Sequence, residues 1–270
     1  MTILTTRVRI LLKIELLERG KKPVLRNPVL VCGLPGSAFV GKFAVDHLIS
    51  ELPGTLLAEI YSDSFPPQVI VKETGEVSLI KNELYFWKNS DRNGNDLIIL
   101  TGDAQPLTPE SEYSLSEYIV DYSSRELGAK QLITLGAYVT GAFTESPKVY
   151  GATTDVTLAS RIKDLGGNLM LEGGITGMNG LLLGMAKLKR MDGYTLLGET
   201  SGYVFDPKAS ECVLNLLGKI VRFEIDMKKL EARAREAQEA LREGERLRSQ
   251  EEERQGRGET EGRKRLDYIS

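Results

Sequence analysis

Val8, Ile10, Leu12, Ile14 and Leu16 recur at period two, three of the four intervening residues being charged, which predicts a half-buried strand. Val29-Leu30-Val31-Cys32 is a continuous apolar run, the signature of a strand buried on both faces. It stops at the turn Gly33-Leu34-Pro35-Gly36, after which Val40, Phe43, Ala44, His47 and Leu48 recur at helical spacing. Residues 56–61 predict another strand, and Gln68–Thr74 with Glu76–Ile80 predict a hairpin closed through Gly75. Leu84–Trp87 extends that hairpin's sheet, and residues 91–96 form a turn. Leu97–Leu100 and Leu132–Leu135 are further buried strands. Between them, Thr108-Pro109-Glu110 supplies N-cap and first-turn chemistry for a helix ending near Gly128. Helices follow over 154–165, 180–189 and from Pro207 to Leu217, with a strand at Tyr194–Leu197. Such alternation implies an α/β fold: a three-layer sandwich with a mostly parallel central sheet, to which the hairpin adds an antiparallel part.

The pattern breaks near residue 225. Residues 226–270 hold 24 charged side chains, 12 acidic and 12 basic, with no proline and one aromatic, Tyr268. Such a segment cannot bury a core of its own. The organisation expected is therefore a body over 1–225, a charged helical stalk over 226–250 and a flexible tail over 251–270. Met227, Leu230, Ala234, Ala237 and Leu241 follow a 3,4 spacing, a narrow coiled-coil seam that a partner copy would steady. After Arg263-Lys264-Arg265 the chain turns apolar again as Leu266-Asp267-Tyr268-Ile269-Ser270.

Composition removes several function classes. The formal net charge is −3, against a general nucleic-acid binder. No run approaches the ~18 apolar residues of a membrane span. The first residues carry Arg7, Arg9, Lys13 and Glu15, so a signal-peptide core is absent and a soluble, cytoplasmic protein is expected. Two cysteines, Cys32 and Cys212, and one histidine, His47, argue against a disulfide framework, a metal cluster or a Ser-His-Asp triad; no metal and no cofactor are expected.

Two glycine loops have the backbone for anion binding. Gly33 and Gly36 lie in a turn between strand and helix, and Gly174, Thr176 and Gly177 precede the helix near Leu181. Neither loop matches a Walker or dinucleotide fingerprint: Gly41-Lys42 is followed by Phe43, where Ser or Thr is needed. A tight structural turn and close helix packing are the weightier readings of the two loops. Asp103, Glu145, Glu172, Glu199 and Thr200 fall near strand ends or glycine loops, where ligands of open α/β sheets bind. No catalytic residue is assigned, and His47 reads as a satisfied histidine on an apolar helix face.

From about Asn27 to Leu230 the chain resembles the proteasome assembly chaperone family in its archaeal form. The resemblance is carried, in order, by Pro28-Val29-Leu30-Val31, Gly33-Leu34-Pro35-Gly36 with Val40-Gly41-Lys42, Phe65-Pro66-Pro67-Gln68 and Leu97 through Pro106. It continues in Thr134 through Tyr138, Val149-Tyr150-Gly151-Ala152, Gly174 through Gly184, and Gly198 through Tyr203 with Asp206-Pro207-Lys208-Ala209. Ser37-Ala38 and Gly136-Ala137 depart from the family pattern by small-residue swaps. The resemblance implies a sandwich similar to nucleoside phosphorylases without established catalysis, a homo-oligomer, and α-subunits of the proteasome core particle as partners. It also implies a docking peptide at the carboxyl end, here Leu266, Tyr268, Ile269 and Ser270. Tyr268 is third from the end rather than penultimate, which shifts that motif by one residue. The function expected is thus a non-enzymatic factor that docks C-terminal tails on the α-ring to assist assembly or activate the gate. The alternative is a nucleoside- or phosphate-binding enzyme using the glycine loops.

Overall fold

In the computed structural model, residues 14–203, 205–232 and 235–236 are described. The elements read from the sequence form in order, joined by two strands it did not announce, Val149–Thr153 and Asn168–Leu169, while Val8, Ile10 and Leu12 of the first predicted strand lie outside the described residues. Ile14–Glu18 (β1) and Val29–Cys32 (β2) are strands, and Val40–Glu51 (α1) is the first helix. Thr55–Ser62 (β3), Val69–Val71 (β4), Val77–Leu79 (β5), Asn82–Trp87 (β6) and Leu97–Gly102 (β7) follow. Pro109–Asp121 (α2) is capped by Thr108, whose hydroxyl accepts from the Ser111 amide at 3.3 Å, a device worth about 1 kcal/mol. Next come Gln131–Val139 (β8), Val149–Thr153 (β9), Ala159–Asp164 (α3) and Asn168–Leu169 (β10). Gly177–Leu188 (α4), Asp192–Thr200 (β11) and Pro207–Val221 (α5) complete the body. Asp206 caps α5 by accepting from the Ala209 amide at 3.0 Å.

Nine strands make one sheet in the order β1-β3-β6-β7-β2-β8-β11-β9-β10. The central four, β7-β2-β8-β11, are parallel, and their fully buried runs fit that role. The expected mostly parallel sheet is corrected to a mixed one. β1, β3, β6 and β7 pair antiparallel in succession, and β9 runs antiparallel to β11, so four of the eight pairings are antiparallel. A second correction concerns the hairpin. β4 and β5 form a separate two-stranded sheet, and β6 joins the large sheet between β3 and β7 instead of extending the hairpin.

Helices cover both faces. Val29, Val31, Ile99, Ile133 and Leu196 meet α1, α3 and α5 in one apolar cluster. Leu30, Cys32, Ile98, Leu100 and Leu132 meet α2 and α4 in the other. No helix among the described residues is long and apolar enough to cross a membrane.

The chain beyond α5 stays on the body for some distance. Arg222, left-handed at φ 65°, reverses the backbone. Phe223 then packs edge-on against Trp87 at 6.4 Å. His47 Nε2 hydrogen-bonds the Asp226 carbonyl at 2.8 Å, as expected of a satisfied histidine. Leu230 is fully buried in the first cluster, with Met227 beside it, and Lys229 pairs with Glu51 at 2.8 Å. Residues 233–234 and 237–250 of the stalk and the whole tail, Leu266, Tyr268, Ile269 and Ser270 included, lie outside the described residues.

Candidate functional site

The parallel strands end where the two glycine loops meet. Gly33 is buried where β2 turns toward α1: a Cβ there would lie 2.2 Å from the Gly41 carbonyl oxygen. Gly41 in turn admits the end of β8, since its own Cβ would fall 2.1 Å from the Leu135 carbonyl oxygen. The Gly33–Gly41 stretch is therefore the tight structural turn of the weightier reading, and it brings the backbone of α1 against the sheet. Ala38 and Phe39 between them sit in left-handed conformation, at φ 50° and 54°. Such strain persists only where surroundings enforce it. Here Ala38 O accepts from the Asp206 amide at 3.2 Å, and Phe39 packs on Phe205 with ring centroids 5.0 Å apart.

Above this turn a cavity of about 510 Å³ opens at the carboxyl ends of β2 and β8, where open α/β sheets bind ligands. Of the sequence-derived loop residues, Gly36, Gly174, Thr176 and Gly177 line it, whereas Gly33 lies beneath. Gln105, which follows β7, ties the loops together. Its Nε2 donates to the Pro35 carbonyl at 2.6 Å, and its Oε1 accepts from the Met178 amide at 2.9 Å. The first turn of α4 thus gives an amide, the group an anion would seek, to a side chain of the protein. Asn179 donates from Nδ2 to the Leu135 carbonyl at 3.0 Å and holds α4 on β8. Tyr138 reaches the cavity while stacked on Tyr150 at 4.2 Å.

The electrostatics of the cavity do not favour an anion. Its lining among the described residues includes no Lys, Arg or His, and Lys42 is turned away to Asp46 at 2.7 Å and Thr101 at 3.0 Å. Glu112 is half-buried at the wall, and burial pushes its carboxyl above the ordinary carboxylate range. What the cavity presents is amide and hydroxyl groups with one carboxyl.

The other carboxylates singled out from the sequence do not assemble here. Asp103 Oδ2 accepts from the Lys81 amide at 3.1 Å, and Glu199 Oε2 accepts from the Lys148 amide at 3.1 Å, so both work as backbone clamps. Glu145 and Glu172 are exposed. No three His, Cys, Asp or Glu side chains among the described residues cluster so as to hold a metal ion. Sequence reasoning missed Gln105, Glu112 and Asn179 as parts of the site. The available signal was for Gln105: a Gln-Pro pair in the connection after a buried strand.

The tail root stands at the other end of the sheet. Trp87, on which Phe223 packs, pairs with Leu97, the first residue of β7. The cavity lies at the carboxyl ends of the central strands, and the chain toward the carboxyl terminus leaves beside their amino ends.

A family model, the PAC2 family, matches residues 30–244. The chain belongs to the PAC2 family. The PAC2 match takes in the first part of the charged segment, in keeping with the packing of Met227 and Leu230. An uncharacterized protein of Methanocaldococcus jannaschii is 38% identical over 225 residues, covering 82% of this chain and 85% of that one. The crystal structure of Pyrococcus furiosus PbaB, an archaeal proteasome activator, matches with a TM-score of 0.81 at 37% identity, over 87% of this chain and 100% of PbaB's. Pyrococcus furiosus PbaA, an archaeal homolog of proteasome-assembly chaperone, matches with a TM-score of 0.71 at 27% identity, over 95% of this chain and 99% of PbaA's.

Proposed function

We propose that this PAC2 protein is a non-enzymatic proteasome-binding factor. It acts in the cytoplasm as a homo-oligomer and docks its carboxyl-terminal peptides on the α-subunits of the core particle. The observation that carries the reading is the likeness to an archaeal proteasome activator along that protein's whole chain, at 37% identity. The cavity supports it from the other side. Its lining includes no Lys, Arg or His among the described residues, and its Gln105 and Asn179 amides are taken up by backbone groups, a poor match for a nucleoside- or phosphate-processing enzyme.

The tail root gives the mechanism its geometry. Met227 and Leu230 fasten the start of the charged segment to the body, so each tail sets out from a fixed point at the amino ends of the central strands. Leu266, Tyr268, Ile269 and Ser270 form the peptide that enters a pocket of the α-ring. One such peptide binds weakly. Several on one oligomer gain ~10²–10⁴ in avidity when their reach matches the pocket spacing. Docking assists assembly by holding neighbouring α-subunits together. It opens the gate only by the difference in its affinity for the open and closed rings.

Deletion of Leu266–Ser270, and separately Tyr268→Ala at full length, tests the reading by co-sedimentation with purified core particles. Both variants are expected to lose sedimentation while keeping the oligomeric state of the parent. Co-sedimentation undiminished in both would overturn tail docking.

A further inference from the structure

The loops that follow β2, β8 and β11 form one apolar rim at the carboxyl ends of these strands. The backbone ties them together: the Thr140 amide donates to the Thr200 carbonyl at 2.9 Å, and the Asp206 amide to the Ala38 carbonyl at 3.2 Å. Val139 packs against Gly202, where a Cβ would lie 2.7 Å from its Cγ1. Phe39, Val139, Phe143, Tyr203 and Phe205 project from the rim and are 38%, 53%, 54%, 80% and 55% exposed, in that order. Two of the rings are fixed in advance. Phe39 and Phe205 pack edge-on at 5.0 Å, and Phe43 joins Phe205 at 5.4 Å. Phe39 holds this place in a left-handed conformation, φ 54°, an outlier for a bulky residue and a strain of the kind that gathers at binding surfaces.

Charge and area both point to a second copy of the chain as the occupant. Residues 33–41, 137–144 and 200–205 include no charged side chain. A two-fold contact sets a patch against itself, so any charge on it would face its own like; a charge-free rim avoids that repulsion. At ~200 Å² for a whole aromatic side chain, the exposed parts of the four rings come to ~450 Å², and Val139 raises the apolar patch to ~500 Å². A standard interface takes about 800 Å² from each partner, of which roughly 56–65% is apolar, or ~450–520 Å². The rim thus offers the apolar share of one side of a stable dimer. A lipid surface fits less well, because interfacial segments lean on Lys and Arg, and the three loops have neither. The tail root stands at the amino ends of the central strands, so contact at the rim leaves the tails free.

We propose that this rim is the surface through which one copy of the chain binds another about a two-fold axis, with Tyr203 as an anchor. The proposal rests on the homo-oligomer of the proposed function and names the face that builds it. Sedimentation velocity of the full chain at stepped concentrations, compared with Tyr203→Asp and separately Phe143→Asp, tests it. Each variant is expected to raise the dissociation constant of the contact at least about thirtyfold, as loss of an interface anchor does, and so to leave single chains or half-size assemblies with an unchanged circular dichroism spectrum. A parent that self-associates, with both variants matching it, would overturn the rim and leave the homo-oligomer standing. A parent that stays single up to ~100 µM would overturn both. If that single-copy parent floats with phosphatidylglycerol vesicles and Tyr203→Asp does not, the occupant is a lipid surface and the proposal fails. Tyr203→Ser repeats the measurement should the Asp variants lose the native spectrum.

Discussion

Leu230→Ala asks whether the root of the tail belongs to the body. Leu230 is fully buried beyond the break in composition, held in the cluster that contains α1 and α5. Truncating a buried leucine removes its transfer free energy and leaves a cavity, together about 2–5 kcal/mol. The site stands at the margin of the core, where neighbours can partly close in, so about 3 kcal/mol is the fitting value. For a body of this size that lowers the melting temperature by roughly 6–12 °C. The same change has little effect on tail docking. Lifting the root back to Arg222 lengthens the tether by about a fifth, which lowers effective concentration by only about a quarter on the −3/2 power law. The assay is a calorimetric melt paired with core-particle co-sedimentation below the transition. A loss under about 2 °C would refute the packing argument. A large loss of docking at full stability would refute the view that the root anchors the tail without making the contact itself.

Three further outcomes are expected. Gly41→Ala forces its Cβ to 2.1 Å from the Leu135 carbonyl oxygen and is expected to cost about 3 kcal/mol or to prevent folding. Gly36→Ala, whose nearest non-neighbour atoms lie 3.9 Å away, is the control and should cost under about 1 kcal/mol by denaturant titration; equal costs would contradict the close-packing argument. Glu59 is 5% exposed, and burial acts to raise its pKa, yet the hydrogen bonds from Lys81 and Arg19 outweigh burial and hold it below the ordinary range. A depressed folded-state pKa gives stability that is full above the unfolded value of ~4.3 and is lost as pH falls through the folded one, so Glu59→Gln should flatten stability against pH below about 4; a parallel curve would contradict this. Inorganic phosphate at constant ionic strength should move the melting temperature by under about 1 °C, because the cavity at the glycine loops offers no cation; a saturable rise of several degrees would restore an anion site.

The fold was legible wherever one element carried its own signal. Val29–Cys32, Leu97–Leu100 and Leu132–Leu135 read as buried strands from their runs alone, and Thr108-Pro109 marked the start of the helix that Thr108 caps, whereas the Asp206 cap of α5 was not read from the sequence. Strand direction was not legible, because it depends on which element a connection crosses. β6 returns antiparallel to both β3 and β7, and nothing in Asn82–Trp87 itself states that. β9 escaped because Gly151 and Tyr150 break the apolar run, yet Gly151 is needed there: a Cβ would lie 2.7 Å from Ile162 Cδ1 and 2.9 Å from the Thr195 carbonyl oxygen. The break near 225 marked a change in composition, while the packing of Met227 and Leu230 continues past it, since two apolar residues suffice to dock a charged segment. At the site the glycines were visible as a pattern. The residues that join them, Gln105 and Asn179, were not, because their partners are the distant backbone groups of Pro35, Met178 and Leu135.

The central claim is that an oligomer of this chain is grasped through its carboxyl ends by the core particle. Electron microscopy of the intact protein mixed with purified core particles measures this directly. The account predicts added density over the α-ring end of the cylinder, lost when Leu266–Ser270 are removed. Bare α-rings at saturating protein, or density that persists without those five residues, would contradict it.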